Sequence, residues 1–337
     1  MSSFMNESNR KLMPLILKCV AAAALAALLI LLPFGLSRSN QTLMTRIFIF
    51  AVYGMSYDIL KGYTGFLSIG HALFFGGGMY ITGILFKAMG ATFQALALAV
   101  PAVVVFASIC GYLMGRLSFR SAGLVATMIT LALSEIVRNA AERWRAVTGG
   151  ADGLTFMVPR ELMDRVTLYF IALGFMVLMF FLLNKFVRSP VGRVLQSIRE
   201  NEQRSIFLGY KTMNYKLIAM QVSGITAALA GVLSALSTRY VNTDNLGIAT
   251  TMHPLLYTLL GGEGTLIGPV IGSFVVNLFQ TSLLSLKSVS PIFEKWPIFF
   301  GSLYVVVVLF MPEGVTGIYH RVQVLIQSRR AARQRER

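Results

Sequence analysis

The sequence predicts an all-α polytopic membrane protein of about nine to ten transmembrane helices, some of them interrupted by glycines. Composition is the first observation: 55% of the 337 residues are hydrophobic, 13% are charged, and the mean hydropathy is +0.69. The second is that apolar runs long enough to cross a bilayer recur along the chain. The third is that basic residues cluster beside these runs. A soluble globular core is therefore excluded.

The position of the charges decides what the formal net charge of +16 means. Six basic residues lie in 188–216 against two acidic ones, and six arginines lie in 321–337 against one glutamate. Both clusters adjoin apolar runs, which is typical of cytoplasmic segments under the positive-inside rule. We therefore expect both termini at the cytoplasmic face, with membrane lipid rather than nucleic acid beside the basic clusters.

The predicted crossings follow the apolar runs in chain order. They lie at 19–36, 47–60, 62–86, 88–115, 121–137, 166–184, 217–238 and 296–312. Residues 138–165, called the large loop below, are predicted to lie on the outer side, since their five arginines are nearly balanced by four acids. Eight crossings already return the chain to the cytoplasmic side. Residues 245–286 must therefore leave and return to the outer side, either as two crossings or as a re-entrant half-helix plus a helix.

Residues 188–216, called the basic loop below, predict two short helices. Ser189 and Pro190 suit the start of the first helix, Asn201 can cap the second, and Gly209 can end it. The first helix has an apolar face formed by Val191, Val194, Leu195 and Ile198. The second ends in an apolar knob formed by Ile206, Phe207 and Leu208. Such a loop either lies on anionic lipid or docks on a partner, and the pattern alone favours neither.

Two glycine-interrupted segments echo each other. Residues 60–67 align with residues 259–266 with four identities in eight positions. Glycine in a membrane helix most often serves close packing, but paired breaks in the two halves of a transporter point to its substrate path. On that hypothesis the translocation path is formed by Thr64, Gly65, Ser68, His71, Gly262, Glu263, Gly264 and Thr265.

Each ionisable residue within the predicted membrane spans is assigned its own role. Asp58 is expected to pair with Lys61, one helical turn away, and Glu135 with Arg138. We interpret His71 as a structural histidine with satisfied hydrogen bonds rather than as a residue that contacts substrate. We expect Glu263 to be the sharpest functional candidate, because no basic residue adjoins it in sequence and an unpaired intramembrane carboxylate usually faces a pathway.

Ordered motifs along the chain resemble one family. They are Gly-Tyr-Thr-Gly with Gly-His at 62–71, Thr-Gly-Gly-Ala-Asp-Gly at 148–153, Ser-Pro-x-Gly-Arg at 189–193, Ile-Arg-Glu-Asn-Glu at 198–202, Leu-Gly at 208–209, Tyr-Lys-Leu at 215–217, Gly-Gly-x-Gly-Thr at 261–265 and Pro-x-Gly at 312–314. This set resembles the permease subunits of branched-chain amino-acid ABC importers. The motif at 148–153 resembles the M-type subunit in particular.

The resemblance implies a transmembrane permease domain at 1–317 and a basic cytoplasmic tail at 318–337. It also implies that the basic loop docks on a separate ATPase. The coupling residues are then Arg193, Arg199, Glu200, Glu202, Ile206, Phe207, Leu208 and Gly209. The implied partners are an H-type permease subunit, two ATP-binding subunits and a periplasmic binding protein, in the bacterial inner membrane. ATP would be used by the partners, with no cofactor or metal bound by this chain.

Two other function classes remain. The sequence has no Gly-x-x-x-x-Gly-Lys-Ser/Thr, so no P-loop for ATP, and no nucleophile or metal motif of an enzyme. An ion- or proton-coupled amino-acid carrier would use Asp58, Glu135, His71 or Glu263 as relays, but it leaves the basic loop without a role. A passive channel leaves it without one too. Residues 252–254, Met-His-Pro, depart from the family pattern and leave the substrate open.

Overall fold

The computed structural model describes residues 27–121, 123–285 and 301–302. The start of the predicted crossing at 19–36, nearly all of that at 296–312 and the tail at 318–337 lie outside these residues. Residues 27–35 are helical. The helices that follow are α1 Arg38–Thr64, α2 Ala72–Met89, α3 Phe93–Ser118, α4 Gly123–Arg143, α5 Arg145–Thr148, α6 Arg165–Arg188, α7 Pro190–Glu200, α8 Glu202–Phe207, α9 Thr212–Thr238, α10 Ile248–Gly261 and α11 Ile267–Ser285.

Seven helices in the described part of the chain are long and apolar enough to cross a membrane: α1, α2, α3, α4, α6, α9 and α11. The protein is therefore an all-α, multi-pass membrane protein, as the composition predicts. Helices α3, α4, α6 and α9 confirm the predicted crossings at 88–115, 121–137, 166–184 and 217–238.

The predicted boundary between the crossings at 47–60 and 62–86 is wrong. Helix α1 runs unbroken past Arg46 and Lys61 to Thr64, and the break lies at residues 65–71. The sequence interpretation placed helix ends at the two charges, but Arg46 faces a cavity and Lys61 faces an acidic residue, so neither ends the helix. The glycines at 76–78 do not interrupt α2 either.

Helices α1, α2 and α9 form the centre of the layer of membrane-spanning helices. The most apolar 18-residue stretch of α1 is 78% buried, whereas the corresponding stretches are 22% buried in α3 and 28% buried in α4 and α6. The centre is tight because small residues face backbone: a Cβ on Gly78 of α2 would collide with the Ala228 carbonyl of α9. The outer helices keep exposed apolar side chains, as lipid contact requires.

Of the predicted segment 245–286, the described residues 248–285 form a half-helix followed by a helix, one of the two alternatives. Helix α10 has 14 residues and is about 21 Å long, too short for a hydrocarbon core of about 30 Å. Helix α11 has 19 residues and is long enough to cross. A two-residue antiparallel pairing of Leu154–Thr155 with Tyr240–Val241 ties the large loop to the segment after α9. Since α6 joins the large loop to the basic loop, we call the two sides of the layer the large-loop face and the basic-loop face.

Candidate functional site

The first glycine break follows α1. Gly65 caps the helix in the left-handed conformation (φ 74°), and residues 65–71 then run non-helically before α2 begins. The ring of His71 stacks on that of Tyr53 at 5.6 Å between centroids. Tyr53 lies eleven residues before the end of α1, so the break rises about 16 Å into the helix layer. Non-helical backbone therefore lies at membrane depth.

Threonine side chains satisfy this non-helical backbone. The Thr130 hydroxyl accepts the N–H groups of residues 69–70 at 3.1 and 3.3 Å, and Thr127 donates to the Leu67 carbonyl at 2.9 Å. Thr251 of α10 accepts the first N–H of α2 at 2.9 Å. An unpaired backbone N–H or C=O group in a bilayer costs several kcal/mol of stability. These hydroxyls avoid that cost by hydrogen-bonding the backbone of the break.

The second break, residues 262–266, joins α10 to α11. Gly262 and Gly264 have φ of 114° and 75°. The buried carboxylate of Asp58 accepts the N–H of Gly264 at 2.7 Å and that of Leu266 at 3.1 Å. A side chain of α1 thus holds the backbone of the second break from the side.

Two predictions about charges are wrong. Asp58 does not pair with Lys61, because it lies on the buried side of α1 and accepts backbone N–H groups instead. Glu263 does have basic partners: Lys61 Nζ lies 3.7 Å and Arg199 Nη2 lies 3.9 Å from its carboxylate oxygens. Sequence adjacency concealed both partners, since they come from α1 and α7. The predicted Glu135 to Arg138 pair is confirmed, at 2.8 Å.

Arg199, on the first helix of the basic loop, touches both breaks. Its Nη1 donates to the Gly62 carbonyl at the end of α1, and its side chain packs against the backbone of Gly65. Its Nη2 faces Glu263 in the second break. Gly62 is required there, because a Cβ would collide with the Asp58 carboxylate and with the backbone of the second break. The two breaks and the basic loop therefore meet at one place, at the basic-loop face.

The basic loop folds as the sequence predicts. Ser189 Oγ accepts the Gly192 N–H at 3.3 Å, and Asn201 Oδ1 accepts the Arg204 N–H at 2.9 Å. Gly209 ends the second helix with φ 88°. Leu195 and Ile198 are buried against the transmembrane helices, and Val191 and Val194 are half-buried. Capping and packing together hold the loop in one conformation.

The apolar knob is exposed: Ile206, Phe207 and Leu208 are 46%, 87% and 66% accessible. Arg193 and Glu200 are also exposed, whereas Glu202 pairs with Lys216 at 2.5 Å. These side chains lie where a partner at the basic-loop face can reach them. Their role in docking remains a prediction.

The side chains predicted to line a path mostly serve the breaks themselves. Thr64 donates to the Ile59 carbonyl and Thr265 to that of Gly262, both at 2.9 Å. His71 is fully buried with Nε2 3.0 Å from the Ser56 hydroxyl, as expected of a structural histidine. Ser68 is fully buried too, and no described residue pairs with its hydroxyl. Gly65 and Glu263 meet at Arg199, Thr64 lies beside Gly65 in a cavity that Arg199 also lines, and His71 lies against Tyr53 deeper among the helices.

Cavities open on both faces and an aromatic stack lies between them. One of about 430 Å³ at the basic-loop face is lined by Tyr63, Gln196, Arg199, Glu200 and Gly264. Another of about 560 Å³ opens at the large-loop face. Phe50 and Phe75 line the second cavity, with Phe75 stacked on Tyr53 at 4.4 Å. Tyr53 stacks in turn on His71 of the first break.

Sequence reasoning missed the threonines that stabilise the first break. Thr127 and Thr130 occur three apart in an apolar run, so they share one helical face, and this spacing could have pointed to them. No local signal marks Thr251 or the contacts of Arg199 with both breaks, because these depend on how distant helices pack.

Comparison with known proteins agrees with this architecture. The family model described as branched-chain amino acid transport system / permease component matches residues 39–311. The high-affinity branched-chain amino acid transport system permease proteins LivM of Escherichia coli (strain K12) and Salmonella typhimurium are 25% and 26% identical, over 87% of this chain and 73% of theirs.

A further relative covers less of the chain. The autoinducer 2 import system permease protein LsrC of Photorhabdus laumondii is 31% identical over 30% of this chain and 32% of its own. No solved structure matches. With the family model covering most of the chain, this protein belongs to the family of branched-chain amino acid transport system permease components.

Proposed function

We propose that this chain is the M-type transmembrane subunit of an ABC importer for branched-chain or related amino acids. Its partners are an H-type permease subunit, two ATP-binding subunits and a periplasmic binding protein. It lies in the inner membrane with both termini and the basic-loop face in the cytoplasm. The family match and the two LivM relatives, each matched over 87% of this chain, support the substrate class. The relative named for autoinducer 2 import shows that similar permeases serve other solutes.

The observation that carries the proposal is the rigid, exposed apolar knob of the basic loop. Its three large apolar side chains are exposed at the end of a capped helix. Burying such a side chain contributes roughly 1.5–3 kcal/mol, so an ATPase groove that accepts the knob would bind it stably. The order of residues in this loop resembles the loop by which permeases of this family dock on an ATPase, which favours docking over lipid contact.

Arg199 supplies the route from docking to transport. A partner that moves the knob moves α7, since α7 and α8 share the turn at Asn201 and a hydroxyl contact between Ser197 and Ser205 at 3.1 Å. Arg199 on α7 donates a hydrogen bond to the Gly62 carbonyl and faces Glu263. Displacing α7 therefore acts on both glycine breaks at once. The chain itself carries out no bond chemistry; ATP is hydrolysed by the partners.

The test is Leu208→Asp in a purified, reconstituted transporter. We expect the variant to insert normally, because Leu208 is largely exposed, but to lose the co-purifying ATPase and ATP-driven uptake of labelled leucine. Leu208→Met, which keeps an apolar side chain of similar size, is the matched control and should retain both.

Omitting one component at a time completes the experiment. Without either ATPase or the partner permease, uptake above the external concentration should stop. Normal ATPase binding and uptake in Leu208→Asp would contradict docking through the knob. Concentrative uptake by this chain alone, driven by an imposed ion gradient, would instead support a secondary carrier.

A further inference from the structure

The large-loop face carries an unexpected group of arginines. Three adjoining cavities there share Thr42 in their lining, and their walls include Arg38, Arg46, Arg165 and Arg239. No described residue in these walls is acidic. Basic residues are normally depleted on the outer side of a membrane protein. The large loop is predicted to be on the outer side, so the positive-inside rule does not account for arginines at this face.

Arg46 is the arginine placed deepest. It lies eight residues into α1, about 12 Å along a membrane-spanning helix. A charged side chain at that depth is costly unless it faces a polar cavity or a partner. Its guanidinium lies 5.4 Å from the ring centre of Phe50, and Nη2 lies 3.4 Å from Gln280 Oε1. Among the residues that the structure describes, no carboxylate lies within ion-pair distance of it. Several of its donors therefore remain available for an anion.

The cavity beside Arg46 combines this cation with an apolar wall. Its volume of about 560 Å³ is in the range of small-molecule sites. Phe50, Phe75 and Met79 supply aromatic and thioether surface, and Asn245 and His253 supply polar groups. His253 belongs to the Met-His-Pro triplet that departs from the family pattern. One charged anchor and one apolar wall are complementary to a zwitterion with an apolar side chain.

We propose that this cavity is the first binding site for an amino acid in the permease, with Arg46 as the residue that recognises the carboxylate. The guanidinium binds both carboxylate oxygens, and the apolar side chain lies against Phe50, Phe75 and Met79. The inference rests on the proposed function, because it takes the transported solute to be an amino acid. The shared chemistry is that of an oxyanion, so the phosphate of a lipid headgroup is the other source to distinguish.

The experiment uses the assembled transporter in proteoliposomes, without binding protein, and a leucine analogue with a side-chain diazirine. After illumination we expect cross-links in peptides that contain residues 75–79, competed by leucine but not by leucinamide, which lacks the carboxylate. Arg46→Gln should weaken half-maximal labelling by at least about ten-fold, and Arg46→Lys should restore part of it. Arg160→Gln, an exposed arginine of the large loop that lines none of these cavities, is the control and should change labelling little.

Labelling unchanged by Arg46→Gln, or competed equally by leucinamide, would overturn the proposal. The leucinamide comparison needs no variant, so a folding defect at Arg46 cannot obscure it. Repeating the series in vesicles with and without phosphatidylglycerol separates the two sources. An effect of Arg46→Gln that occurs only with this lipid, with no competition by leucine, assigns the arginine to a headgroup instead. Failure of the proposed function would show separately, as absent ATPase co-purification in the same preparation.

Discussion

Asp58 offers the sharpest test of how the second break is held. In Asp58→Asn the side chain keeps one acceptor for the two N–H groups of Gly264 and Leu266, which the carboxylate now accepts at 2.7 and 3.1 Å. One buried N–H is left unpaired, at a cost of roughly 1–3 kcal/mol. The other bond loses its charge assistance, about 1 kcal/mol more. The closed break is thus destabilised by roughly 2–4 kcal/mol.

Hydrogen exchange measures this local opening directly. At a tenfold change per 1.4 kcal/mol, amides in a peptide covering 259–268 should exchange between roughly 30- and 700-fold faster than in the wild type. Glu135→Gln makes the same chemical change in a carboxylate that pairs with Arg138, and it should leave this peptide unaffected. Unchanged or slower exchange in Asp58→Asn would refute the reasoning. It would mean that relief from burying a charge outweighs the lost acceptor.

Two further substitutions probe the same meeting point. Gly62→Ala should sharply lower uptake and thermal stability, because its Cβ would collide with backbone of the second break; such overpacking costs about 1–3 kcal/mol. Gly174→Ala, whose Cβ would meet no atom within 4 Å, should lower neither, and equal loss in both would remove the steric argument. Glu263→Gln should alter uptake only modestly, since its pairs with Lys61 and Arg199 at 3.7 and 3.9 Å are partly exposed and worth at most about 1 kcal/mol each. Uptake measured at constant ATP should also stay insensitive to a protonophore; a collapse would instead support a proton relay.

Local patterns predicted the basic loop well. The caps at Ser189 and Asn201 and the stop at Gly209 were all predictable, because each depends on residues within four positions along the chain. The break at Gly65 was less predictable. The charge of Lys61 indicates a helix end, but the helix continues past Lys61, which lies 3.7 Å from Glu263, and ends where Gly65 adopts the left-handed conformation.

The sequence by itself determined the class of fold, the order of the crossings in the middle of the chain and the existence of two related glycine breaks. Hydropathy and glycine spacing carry that information, since membrane insertion and helix interruption respond to short stretches of chain. The tertiary structure alone decided that the two breaks touch, that Asp58 holds one of them, that Arg199 contacts both, and that Arg46 opens into a cavity. The physical reason is that a buried polar group is satisfied by whichever helix packs against it, and in this protein the partners lie far away in sequence.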